Sequence, residues 1–181
     1  MVVLFLADGV AEVEAVTIAD CLRRVGLDLK LAGVTGETVT GARGVRLLAD
    51  LPVSDVPDGP HELLVFPGGL TGAENLMASK RVRELASAAM TADTPVGAIC
   101  ASPGFLAGLG LLRGRTVTCY PSVADRVKSG GAYVLERDVV REGNLITGQG
   151  PAASIAFSLA LVELVLDRKK SEFLASQLLY S

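Results

Sequence analysis

The 181-residue sequence predicts an α/β protein built on a doubly wound, mostly parallel sheet with helices on both faces. Short apolar runs bounded by turn residues alternate along the chain with amphipathic segments, as strands and crossover helices do. Half of the residues are hydrophobic and only 4% are aromatic, so valine, leucine and alanine would fill the core, as in buried parallel strands. The length fits one domain over residues 1–181.

The elements follow from the hydrophobic pattern in chain order. Buried strands are expected over residues 2–7, 27–32, 63–66, 95–99, 116–118 and 145–147, with a hairpin or edge excursion over 38–49 and a small excursion over 133–141. Helices are expected over residues 11–25, 74–77, 81–90, 101–112, 152–168 and 169–180. This alternation predicts a flavodoxin-like sheet, in which ligands bind beyond the carboxyl ends of the strands.

Composition excludes several classes of function. The net charge is −3 and there is no basic block, so nothing favours nucleic acid as a partner. Three scattered cysteines and one histidine make neither a disulfide framework nor a zinc motif, and reduced thiols fit a cytoplasmic protein. The run over residues 2–7 lacks a basic leader, and the apolar stretch 152–166 is too short to cross a bilayer, so we expect neither a secretory signal nor a membrane span.

Cys100 lies where the strand predicted over residues 95–99 meets the following helix. A nucleophile on a sharp strand-to-helix turn needs small neighbours, which Ala98, Ala101 and Ser102 provide. Such a turn would bring the thiol close to the amide of residue 101 and to a helix N-terminus, and both favour a thiolate. The same spacing fits a buried cysteine that packs as a small hydrophobic residue.

Two glutamates open the first predicted helix, and periodicity separates them. Glu14 shares its face with Ile18 and Leu22, so it is at the head of the apolar stripe. By the same helical spacing, Glu12 lies on the solvent side. A bare buried carboxylate is costly, so we expect Glu14 to be hydrogen-bonded or protonated, with a raised pKa. Both acids could instead only complement the helix dipole.

Several of these groups follow predicted strands and would meet at one edge of the sheet. The adjacent glycines Gly68 and Gly69 allow close approach of the backbone to a ligand, although an ordinary tight turn also fits them. Cys119 and Tyr120 follow the strand predicted over residues 116–118. This convergence of a thiol, a carboxyl group and a glycine pair favours Cys100 as a nucleophile. His61 follows a proline turn and is expected on the solvent side, not as a catalytic base.

Taken together, five stretches resemble the ThiJ/PfpI superfamily, and within it the branch of the parkinsonism-associated protein deglycase and its bacterial relatives. They are GVAEVEAV at 9–16, FPGG at 66–69, AICASP at 98–103, TCYP at 118–121 and TGQGP at 147–151. The resemblance implies a class I glutamine amidotransferase-like domain over residues 1–181. It also implies that Cys100 is the reactive thiolate and that a protonated Glu14 hydrogen-bonds it.

The same resemblance implies further site residues. The backbone amides of Gly69 and Ala101 match the oxyanion hole, and the pocket would include Gly68, Tyr120, Cys119 and Arg43. Tyr120 stands where that branch carries histidine, and a phenol of pKa about 10 is a poor base near neutral pH, so proton transfer would fall on Glu14. Ala101 replaces the histidine of the protease-like branch, and His61 lies upstream of the cysteine, which disfavours peptidase and glutaminase activity.

The implied activity is a cofactor-independent glyoxalase or deglycase that acts on reactive dicarbonyls such as methylglyoxal, or on glycated adducts, with no metal. The alternative is an oxidative-stress sensor and protective chaperone that works through oxidation of Cys100. Turnover of methylglyoxal separates the two functions.

The resemblance also implies a homodimer that pairs through the first helix. The exposed side of that helix carries Val13, Thr17, Asp20 and Arg24.

Overall fold

A computed structural model describes residues 1–181 and shows a seven-stranded central sheet with two small two-stranded sheets beside it. The strands are β1 Val2–Leu6, β2 Leu29–Gly33, β3 Thr38–Thr40, β4 Arg46–Leu48, β5 Leu51–Pro52, β6 Leu63–Phe66, β7 Val96–Ile99, β8 Thr116–Val117, β9 Tyr133–Val134, β10 Val139–Glu142 and β11 Leu145–Gly148. The helices are α1 Glu12–Arg24, α2 Leu70–Ala78, α3 Lys80–Thr91, α4 Ser102–Gly108, α5 Ala124–Ser129, α6 Ser154–Val165 and α7 Arg168–Gln177.

The strand order of the central sheet is β10-β11-β7-β6-β1-β2-β5, and every pairing is parallel except that of β10 with β11. Counted along the chain, the five principal parallel strands β1, β2, β6, β7 and β11 lie in the order 2-1-3-4-5, which is the flavodoxin-like order. The predicted fold class is confirmed. The order reverses between β1 and β6, where such sheets open a crevice for ligands.

Helices cover both faces of the sheet. Every residue of β1, β6, β7 and β11 is buried, which requires cover on both sides. Helix α6 packs against both α1 and α7, while α2 packs with α3 and α4, and α4 with α5. No helix is both long enough and apolar enough to cross a membrane.

Three expected elements differ from the structure. The strand expected over residues 116–118 does not join the central sheet, because β10 already occupies the position beside β11, and β8 pairs with β9 instead. The helix after Cys100 ends at Gly108, well before residue 112, and a turn at Gly110 with φ 74° follows it. Helix α2 begins at Leu70 and not at residue 74, because Gly69 already serves as its N-cap.

Candidate active site

Cys100 occupies a strained turn between β7 and α4. Its φ of 64° lies in the left-handed region that a residue with a side chain seldom adopts, as at a nucleophile elbow. The Cys100 amide donates to the Gly148 carbonyl at 2.9 Å, and the Cys100 carbonyl accepts from the Tyr120 amide at 2.8 Å. Neighbouring segments therefore hold the turn on both sides, which is how such strain persists in a folded protein.

Glu14 lies on the buried face of α1, next to Cys100 across Gly68. Its side chain is fully buried, and Oε2 accepts a hydrogen bond from the Gly68 amide at 2.7 Å. A Cβ atom at Gly68 would lie 2.6 Å from Oε2 and 2.9 Å from the Cys100 sulfur. The carboxyl group and the thiol thus converge on a position that only glycine can occupy.

The Glu14 carboxyl group titrates near neutrality. Burial raises its pKa to about 7, although the Cys100 thiol and the Gly68 amide act in the opposite direction. Its second oxygen, Oε1, is buried and has no hydrogen-bond partner. A carboxyl group of this pKa can both accept and donate a proton near pH 7.

The expectation of a lowered Cys100 pKa is wrong. Burial and the Glu14 carboxylate raise the pKa of the thiol to about 12, and the amides of Gly69 and Ala101 lower it by less. Helix α4 has only seven residues, so its dipole is weak, and Cys100 is only 7% exposed. Desolvation of the thiolate therefore outweighs the stabilisation that the helix N-terminus provides. Because the two groups interact strongly, they titrate as a pair that carries a single negative charge between about pH 7 and about pH 12.

The glycine pair is not an ordinary turn. Gly69 has a φ of 94°, and a Cβ atom there would lie 2.1 Å from the Gly9 carbonyl oxygen. This conformation lets the Gly69 amide face the Cys100 sulfur as a hydrogen-bond donor, beside the amide of Ala101. Two backbone donors therefore adjoin the sulfur, beside the space that a group bonded to it would occupy.

The remaining predicted pocket residues are more dispersed. Cys119 is buried, and burial raises its pKa to about 11. Tyr120 is 42% exposed and contacts the elbow through its backbone amide. Arg43 is exposed on the loop between β3 and β4, where its guanidinium donates to the Ala42 carbonyl and makes no hydrogen bond to Cys100 or Glu14.

His61 lies far from this chemistry. It precedes β6, at the amino edge of the sheet, in a cavity of about 680 Å³ that Arg81 and Thr94 also line. Burial lowers its pKa. No three His, Cys, Asp or Glu side chains gather closely enough to hold a metal ion.

Sequence reasoning missed two residues that support the site. Ser102 is fully buried, and its hydroxyl donates to the Pro67 carbonyl at 2.5 Å, which ties the elbow to the glycine pair. Glu12 does not lean freely into solvent, because its Oε1 accepts from the Arg43 amide at 2.6 Å and from the Val45 amide at 3.3 Å. The position of Ser102, a small hydroxyl residue two positions after Cys100, could have indicated a supporting role. No local signal in the sequence links Glu12 to a loop about thirty residues away.

A family model described as the DJ-1/PfpI family matches residues 1–164. A curated relative from Caenorhabditis elegans, named as a glutathione-independent glyoxalase, is 31% identical over 97% of this chain and 94% of its own.

Solved structures are similar over nearly the whole chain. Drosophila melanogaster DJ-1beta superposes with a TM-score of 0.95 at 34% identity, covering 99% of this chain and 97% of that one. Toxoplasma gondii DJ-1 in an oxidized form superposes with a TM-score of 0.93 at 33% identity, covering 99% and 98%.

Proposed function

This chain belongs to the DJ-1/PfpI family, and from that premise we propose that it is a cysteine-dependent glyoxalase that acts on small dicarbonyls such as methylglyoxal without glutathione. One observation carries the proposal. A buried carboxyl group with a pKa of about 7 and a strained cysteine thiol pack against the same glycine, Gly68. A reaction that needs one nucleophile and repeated proton transfers fits this pair.

The first step is addition of the Cys100 sulfur to the aldehyde carbon. Because the resting group is a thiol, the Glu14 carboxylate takes its proton as the carbon–sulfur bond forms. Negative charge develops on the aldehyde oxygen, where the amides of Gly69 and Ala101 stabilise it. Glu14 then passes the proton to that oxygen, which completes a hemithioacetal on Cys100 and returns Glu14 to the carboxylate form.

The second step moves a proton between the two substrate carbons. Glu14 removes the proton from the carbon that bears sulfur, which gives an enediolate, and returns it to the neighbouring carbon, while the hydroxyl proton of the first carbon passes to the oxygen of the second. The first carbon is oxidised and the second is reduced, so no outside oxidant or reductant enters. The product is a lactoyl thioester, which water cleaves to lactate and the free thiol of Cys100.

Lactate formation from methylglyoxal tests the proposal, with Cys100→Ser as the inactive variant and Cys119→Ser as the matched control. We expect lactate from the native protein and from Cys119→Ser, and none above buffer from Cys100→Ser. Equal turnover by the native protein and Cys100→Ser would remove the cysteine from the reaction.

Oxidation sensing at Cys100 is the second candidate, and the oxidized form of the Toxoplasma relative favours it. Two equivalents of hydrogen peroxide oxidise the thiol to a sulfinic acid and leave as two waters, and a protonated Glu14 and the Gly69 amide can hydrogen-bond the two added oxygen atoms. Mass spectrometry after mild peroxide treatment, together with absence of methylglyoxal turnover, would favour this function over the glyoxalase.

We also propose a homodimer that forms through α1 and the β3–β4 hairpin. Val13 on α1 is 59% exposed and Leu48 on β4 is 65% exposed, so both elements present apolar side chains to solvent. Exposed apolar surface of this kind is typical of an interface between subunits. Arg24, expected in this patch, is bonded to Asp20 on its own helix at 2.6 Å. Light scattering at micromolar concentration should report a dimer that Val13→Asp converts to a monomer. A monomer in the native protein contradicts the proposal.

A further inference from the structure

Glu12 binds the loop of a hairpin that lies outside the candidate site. Its Oε1 accepts from the backbone amides of Arg43 and Val45, in the loop over residues 41–45 between β3 and β4. These amide contacts, together with its own amide and the nearby Arg43 charge, hold the pKa of Glu12 below its ordinary value against a desolvation effect that would raise it. The carboxylate is therefore an acceptor for several main-chain donors at once.

The same hairpin is bonded along the segment that follows β1. The Gly9 amide donates to the Thr40 carbonyl at 2.8 Å, and the Ala42 amide donates to the Val10 carbonyl at 2.8 Å. Asp8 accepts from the Thr40 amide at 2.8 Å through its side chain. Segment 8–12 is thus fixed to the hairpin from its first residue to Glu12.

The opposite side of segment 8–12 contacts the reacting groups. The Ala11 amide donates to the Gly68 carbonyl at 3.0 Å, and Glu14, one turn of helix further on, accepts from the Gly68 amide. The tight approach of Gly69 to the Gly9 carbonyl completes the contact. Both polar groups of Gly68 are therefore held by the chain that Glu12 joins to the hairpin.

We propose that Glu12 is a positioning residue, which fixes the hairpin loop over residues 41–45 to the first turn of α1 and so holds Glu14 in register with Gly68 and Cys100. The kinetic part of this inference rests on the proposed function. The contact geometry does not. The role requires an oxygen acceptor at the reach of Oε1 and does not require a negative charge, which separates it from a simple interaction with the helix dipole.

Two near-isosteric variants separate reach from charge. Glu12→Gln keeps an amide oxygen at the same distance, and Glu12→Asp keeps the charge and the helix-dipole interaction but withdraws the oxygen by one methylene. The matched control is Glu163→Asp, since Glu163 is an exposed glutamate on α6 that makes no hydrogen bond or ion pair. Circular dichroism verifies that each variant folds.

Two readouts are independent of dicarbonyl turnover. Hydrogen exchange of the loop amides should be faster in Glu12→Asp than in the native protein and unchanged in Glu12→Gln. The pH profile of Cys100 alkylation should lose its bend near pH 7 in Glu12→Asp only, because a displaced Glu14 carboxyl group becomes hydrated and its pKa falls. The charged groups that bear on this titration are the Cys100 thiol, which faces Glu14, and the Arg43 guanidinium on the hairpin. Turnover should fall about tenfold to a hundredfold in Glu12→Asp, mainly in kcat, and recover in Glu12→Gln.

Three results would overturn the inference. Faster loop exchange with an unchanged alkylation profile would confine Glu12 to a structural role in the hairpin. An effect of Glu12→Gln with none of Glu12→Asp would mean that the charge matters and the reach does not. No effect of either variant, as for Glu163→Asp, would remove Glu12 from the site altogether. Absence of turnover in the native protein would contradict the proposed function alone, and the exchange and alkylation data would still decide this inference.

Discussion

Replacing Glu14 by glutamine should stabilise the protein at alkaline pH while it abolishes catalysis. The carboxyl group is fully buried, and burial raises its pKa from the ordinary 4.5 to about 7. The folded state therefore binds this proton more tightly than the unfolded chain does. The resulting stability is complete below pH 4.5 and is lost as the pH rises through about 7.

The size of the effect follows from the two pKa values. Their difference, at about 1.4 kcal/mol for each pH unit, corresponds to about 3 kcal/mol. Glutamine is neutral at every pH and keeps an oxygen for the Gly68 amide, so the variant avoids this loss. Relative to Glu14→Gln, the native protein should thus become less stable by about 3 kcal/mol between about pH 4.5 and pH 8.

Urea unfolding of both proteins across this range measures the difference, because the contributions of the titrating groups outside the Glu14–Cys100 pair cancel. Glu163→Gln, at an exposed position, is the control and should track the native protein at every pH. A difference between the native protein and Glu14→Gln that stays constant with pH would refute the reasoning. So would a native protein that gains stability relative to the variant as the pH rises.

Three other outcomes are expected. Limiting iodoacetamide should modify Cys100 before Cys119 or Cys21, since only Cys100 has a base beside it; prior modification of either other thiol, read by mass spectrometry, contradicts this. Gly68→Ala should abolish turnover and lower the melting temperature, because the new methyl group would lie 2.4 Å from the Cys100 Cβ; native activity would show that the site relaxes. Ser102→Ala should cost about 1–3 kcal/mol in urea unfolding, because the Pro67 carbonyl loses its buried partner; a loss near zero would mean that this hydrogen bond contributes nothing net.

The parts of the fold that sequence predicts best are those where one physical effect dominates. The run over residues 63–66 is apolar without interruption, and β6 has those bounds, because a strand buried on both faces admits no polar position. The periodicity of the first helix places Glu14 on the buried face, and the structure buries it completely. Both results depend only on residues close together in the chain.

The parts that sequence does not predict depend on distant partners. The segment 116–118 consists of β-branched residues that suit a strand of the central sheet, and only the return of β10 to the edge of β11 displaces it. The helical periodicity places Glu12 on the solvent side of α1, and only the hairpin folded onto α1 gives its carboxylate hydrogen-bond partners. The Cys100 pKa is a balance between amides that lower it and burial beside a carboxylate that raises it, and a motif does not give the depth of burial.

Lactate production from methylglyoxal by the native protein, Glu14→Gln and Glu12→Gln tests most directly the claim that Glu14 and Cys100 work as a proton-sharing pair. Circular dichroism is the control for folding. We predict that Glu14→Gln loses about a hundredfold or more of its turnover, since it cannot accept or return a proton. Glu12→Gln, which keeps its acceptor oxygen, should stay close to the native rate. Full activity in a folded Glu14→Gln protein, or equal losses in the two variants, would contradict the claim.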